Sequence, residues 1–101
     1  MANLNITEFG EQGRDANNNL TDFAKLPPLA TQNAAIGGAS VQSAAFSKRT
    51  GFIRLRTDLA CAVVVAANPT ALITSLQMSA NTTEYFAVPM GADYKIAVIA
   101  I

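Results

Sequence analysis

Histidine and tryptophan are absent from this 101-residue chain, and cysteine occurs once, as Cys61. Without histidine the chain lacks the side chain that most often acts as general base and metal ligand near neutral pH. A single cysteine builds no intrachain disulfide framework and, alone, no zinc site. It lies in the run "LACAVVVAA", Leu59 to Ala67, where a small buried hydrophobe is the expected role. Charge is also scarce: 14% of residues are charged, and seven cations balance seven anions. That balance argues against nucleic acid as the main partner, because phosphate binding needs an excess of Lys and Arg. A net charge near zero favours association instead. No apolar run approaches the roughly 20 residues needed to span a bilayer. The opening "MANLNITEFGEQGRD" has neither the basic start nor the apolar stretch of a secretory signal. No membrane partner is therefore expected.

The remaining titratable groups do not assemble into a reaction centre along the sequence. The carboxylates are dispersed singly. Asp15-Ala16-Asn17-Asn18-Asn19 echoes the start of a calcium loop but lacks the glycine at its sixth position and the closing glutamate. Gly10, Gly13 and the pair Gly37-Gly38 lack the strand–turn–helix setting of a phosphate-binding loop. The expectation is a protein that is not an enzyme, with no cofactor and no metal.

What is present falls into two compositions that meet near Gly37-Gly38. Residues 1–38 carry "NNN" and "PP" with scattered hydrophobes: Leu4, Ile6, Phe9, Leu20, Phe23, Leu26 and Leu29. Arg14 and Lys25 stand there against Glu8, Glu11, Asp15 and Asp22, a net charge of −2. Residues 39–101 hold Lys48, Arg49, Arg54, Arg56 and Lys95 against Asp58, Glu84 and Asp93, a net charge of +2. Seven scattered hydrophobes fall short of the burial that would offset ordering about forty residues. An extended N-terminal arm over residues 1–38 is therefore expected, one that orders against a neighbour, with a body over 39–101.

The body reads as strands. In Phe52–Thr57, Ile53 and Leu55 alternate with Arg54 and Arg56, the half-buried pattern. Ala60–Ala66 is apolar throughout, as in a central strand covered on both faces. Glu84–Val88 and Tyr94–Ile101 are aromatic and β-branched. Val41–Phe46 is a weaker first strand, and for Ala71–Met78 a short helix competes. Asn68-Pro69, Ser79–Asn81 and Pro89–Asp93 break the runs. Strands about ten residues apart with short connections give a small antiparallel β-sandwich or barrel of five to six strands. The apolar end, Ile96 to Ile101, suits a strand between others or one at a sheet edge that invites another chain.

The basic cluster Lys48, Arg49, Arg54 and Arg56 reads as a solvated turn and strand face, or as a contact for an acidic protein surface. Tyr85, Phe86 and Tyr94 read as core and rim packing, or as a platform for sugars.

The segments "TDLAC" (57–61), "ANPTA" (67–71), "TEYFAVP" (83–89) and "KIAVI" (95–99), within residues 26–101, resemble small virion structural proteins of tailed bacteriophages. That resemblance implies a decoration, cement or minor head protein. It would be made in the host cytoplasm and carried on the capsid surface of the virion. Its implied partners are the major capsid protein and further copies of itself, as a homo-oligomer such as a trimer. In that role Leu4, Ile6, Phe9, Leu26 and Leu29 would supply apolar contact, and Arg54 and Arg56 polar contact. The alternative is a β-module of a tail or head fibre that binds a host surface glycan through exposed Tyr and Asn.

Overall fold

Leu4 and Ile6 alternate with Asn3, Asn5 and Thr7, and a strand that follows this alternation presents one apolar and one polar side. The computed structural model describes residues 2–10, 12–14, 17, 20–24 and 26–101, with backbone alone for 12–14 and 20–24. In it Leu4 and Ile6 are completely buried. Ten strands are described: β1 Asn3–Phe9, β2 Gln12–Arg14, β3 Leu20–Ala24, β4 Ala30–Ala35, β5 Val41–Gln42, β6 Phe52–Thr57, β7 Cys61–Ala66, β8 Leu76–Met78, β9 Thr82–Ala87 and β10 Lys95–Ala100. No helix occurs among the described residues.

Eight of the strands form two antiparallel sheets, ordered β4-β1-β6-β9 and β5-β10-β7-β8, and β2 pairs with β3. The fold is all-β and sandwich-like. It is not a barrel, and its strands outnumber the five to six expected. The core lies between the sheets. Leu4, Ile6, Ile53 and Leu55 from one meet Cys61, Val63, Met78, Ile96 and Val98 from the other.

The expected N-terminal arm is corrected where the strands are described. β1 sits between two partners, with Ile6 opposite Gln32 of β4 and opposite Leu55 of β6. A strand paired on both sides and packed on one face is a sheet centre. Its cost of ordering is met by hydrogen bonds as well as by apolar area, which a count of hydrophobes ignores. What does extend is the connection from β1 to β4. The register runs Glu8–Ala30, then Gln12–Ala24, then Arg14–Leu20, so one ribbon continues into the β2–β3 hairpin. The molecule measures 47 × 27 × 21 Å.

The body strands follow their sequence signals more closely. β6, β7, β9 and β10 lie where alternation and apolar runs place them. The weak segments are shortened. Val41–Phe46 keeps only two strand residues, although Ser43 and Phe46 still donate backbone hydrogen bonds to Ile96 and Tyr94. Ala71–Met78 becomes a turn, closed by Ser75 N–H to the Leu72 carbonyl at 2.9 Å, and the three-residue β8. Asn81, Gly91 and Asp93 take positive φ at the expected breakers, a conformation that Gly, Asn and Asp tolerate best.

β7 is covered on both faces, as its composition requires. Strand parity turns Ala62 and Ala97 outward, yet both are fully buried. The connection after β7 folds back over them, with Pro69 and Ala71 buried. Gln42 Nε2 donates to the Pro69 carbonyl at 2.6 Å, and Ala71 N–H donates to Ser40 Oγ at 2.8 Å.

Ile6→Ala should lower unfolding stability by about 2–5 kcal/mol, whereas Leu26→Ala, at a side chain 71% exposed, should change it by less than about 0.5 kcal/mol. Urea unfolding of the two variants checks this. Equal, small effects would contradict the position of β1.

Candidate functional site

The outward residues of the first sheet form cross-strand rows. Thr31, Thr7, Arg54 and Tyr85 lie opposite one another across β4, β1, β6 and β9, and Asn33, Asn5, Arg56 and Thr83 form the next row. Period 2 aligns these rows on one side, although Thr7 is buried and Phe9 and Phe52, next along the same side, stack on each other. Asn5 Nδ2 donates to Asn33 Oδ1 at 3.1 Å, and Thr7 Oγ1 donates to Asn5 Oδ1 at 3.2 Å. These amides and hydroxyls therefore brace one another. The arginines are not braced. Among the described residues, Arg54 and Arg56 have no ion-pair partner, Arg56 is exposed and Arg54 half-buried.

The sequence cluster of four basic residues is divided by the fold. Lys48 Nζ lies 3.1 Å from Asp93 Oδ2, and both side chains are exposed, so the pair contributes little to stability. The turn that carries it is held from beneath by Glu8. This carboxylate is buried, and its Oε1 accepts the Ser47 N–H at 2.8 Å and the Thr50 hydroxyl at 2.7 Å. Next along the chain, Gly51 N–H donates to the Phe9 carbonyl at 2.9 Å. A Cβ at Gly51 would stand 2.7 Å from the Gly10 carbonyl oxygen, so only glycine fits this close approach. Glu8 thus positions the turn that leads into β6 and its two arginines.

The apolar contact candidates fare differently. Leu4 and Ile6 are core residues and offer no outer surface. Phe9 is buried and stacks on Phe52, with centroids 5.1 Å apart and planes at 19°. Leu29 is half-buried, anchored by its N–H to the Glu8 carbonyl at 2.8 Å. Of these five, only Leu26 is broadly exposed. The sugar platform is also not assembled: Tyr85 stands on the outer face, while Phe86 and Tyr94 line a groove on the other side of the strand. Apart from Asn17, residues 15–19, the calcium-loop echo, lie outside the described residues. Among the described residues no group of three or more acidic or thiol side chains could hold a metal ion. Burial pushes the Cys61 thiol above its ordinary pKa, and the nearby Asp58 charge adds to this, against a lowering hydrogen bond with Thr57. It is a core thiol, not a nucleophile.

The groove was not legible in the sequence. It encloses about 440 Å³ between the sheets, lined by Leu55, Val63, Val65, Leu76, Phe86 and Tyr94 among others. It exists because β8 stops after three residues, pairing with Cys61–Val63 only, while β9 opposite runs for six. Strand length at an edge is set by the turn at Leu72–Ser75, and no local apolar pattern announces that.

No protein-family model, curated protein or solved structure matches the chain.

Glu8→Ala would leave the Ser47 N–H and the Thr50 hydroxyl without their buried acceptor, at a cost of about 1–3 kcal/mol. Glu8→Gln, which keeps an oxygen acceptor, should retain most of the stability. Thermal unfolding of both variants checks this, and equal losses would contradict the hydrogen-bonding role.

Proposed function

We propose that the chain is a structural virion protein of a tailed bacteriophage that decorates or cements the capsid, bound across neighbouring major capsid protein subunits on the outer shell. The observation that carries the reading is the braced polar face with its unpaired Arg54 and Arg56. A sheet face whose Asn5 and Asn33 amides are already hydrogen-bonded to each other pays little entropy on docking. Two free cations upon it fit an acidic protein surface and set orientation. The resemblance of residues 26–101 to virion structural proteins points the same way. The contact set is accordingly revised: Arg54 and Arg56 remain, joined by Tyr85 and Thr83 on the same face. Leu26, 71% exposed, remains an apolar contact. Leu4, Ile6 and Phe9 leave the set because the core needs them. Several weak contacts of this kind hold by avidity when each shell offers many equivalent sites.

The test is co-sedimentation of purified protein with shells assembled from the major capsid protein of the same virus. Wild type should bind with an affinity that falls as salt rises, and Arg54→Glu with Arg56→Glu should weaken binding about tenfold or more, that is by about 1.4 kcal/mol or more. Absence of shell binding, or binding indifferent to both substitutions, would overturn the reading. Saturable binding of a host-surface glycan without shell binding would replace it with the fibre-module alternative.

A further inference from the structure

We propose that β9 is a self-association edge, and that two copies of the chain join their β4-β1-β6-β9 sheets through antiparallel β9–β9 pairing while their apolar grooves close on each other. Three observations converge on this edge, and none depends on the capsid reading. β9 is six residues long and, among the described residues, pairs on one side only, with β6, so its other side leaves backbone donors and acceptors without a strand partner. Directly inside that edge lies the apolar groove, whose opening is set by the short β8. On the groove side Leu76 opens β8 and Leu72 and Ile73 stand at the turn before it, while Tyr85 flanks the same edge on the outer face; all four are exposed.

Area and charge select a second copy as the occupant. The four side chains are each more than half exposed, and they offer only part of the area an interface needs. A stable interface needs about 800 Å² per partner. The groove walls and the β9 main chain supply the remainder. The protein has no net charge to oppose self-association. The only charged residue of β9 is Glu84, and it disfavours one register. A two-fold axis through Tyr85 sets Tyr85 against its own equivalent and Glu84 against Phe86. An axis through Glu84 would set two carboxylates face to face, which is destabilising. A two-fold pairing of this kind is also closed, so it ends at a dimer and does not propagate as a fibre.

Sedimentation of the full chain over a wide concentration range, with hydrogen exchange at each concentration, tests the proposal. Wild type should pass from monomer to dimer, and dimerisation should add protection at those Thr83–Ala87 amides that point away from β6. Tyr85→Lys, which places like charges on the axis, should raise the dissociation constant about tenfold or more, and Leu76→Lys should do the same should Tyr85→Lys fail to fold. Val41→Lys, exposed on β5 at the edge of the second sheet farthest from β8, should leave it unchanged. An apolar dye should occupy the groove of the monomer and be released on dimerisation. The proposal is overturned by a monomer at every concentration or by a dimer indifferent to both edge variants. A groove that keeps its dye in the dimer likewise overturns it, because it is then a small-molecule site.

Discussion

The structure depends on β1 being paired on both flanks. β4 has little reason of its own to be a strand, since "ATQNAA" is poor in β-branched and aromatic residues. It is extended because β1 offers it a ladder of backbone partners. β6 in turn places Ile53 and Leu55 beside Leu4 and Ile6 on one inner face, opposite Ile96 and Val98 of the second sheet. Each fully buried aliphatic side chain contributes about 1.5–3 kcal/mol. Without β1, β4 loses its only ladder and β6 loses one of its two neighbours.

Both surfaces of interest follow from that arrangement. Committing Leu4, Ile6, Ile53 and Leu55 to the core forces Asn5, Thr7, Arg54 and Arg56 outward together, and strand registry then aligns them. The polar face is thus the obligatory reverse side of the core. The groove has the opposite origin: it marks where the second sheet is incomplete, because β8 covers only half of β7. One surface is complete and polar, the other unfinished and apolar. They suit different partners, a charged lattice in one case and a second copy in the other.

How much of this was legible in the sequence depended on whether local composition or pairing decides an element. β6, β7 and β10 declare themselves, because alternation or unbroken apolar character is visible without knowing the neighbours. β1 does not declare itself, although Leu4 and Ile6 keep the right period. Asn3, Asn5 and Thr7 lower its apparent propensity, and Glu8 puts a carboxylate at an inward position. That carboxylate is at home there because Ser47 and Thr50 donate to it, and no sequence pattern shows donors 39 and 42 residues away. Arg54 and Arg56 were correctly placed on one face by alternation alone. The separation of Tyr85 from Phe86 follows from the same period of two, and the sugar platform had grouped them by composition instead. The groove requires knowing where β8 begins, which the turn at Leu72–Ser75 decides.

The role of β1 is most directly measured by native-state hydrogen exchange on the full chain at a concentration where it sediments as one copy. With β1 as the sheet centre, the amides of Leu4–Glu8 exchange as slowly as those of β6, and both are released together only by global unfolding. Rapid exchange across Leu4–Glu8 while β7 and β10 stay protected would contradict it, and would return those residues to an arm that waits for a neighbour.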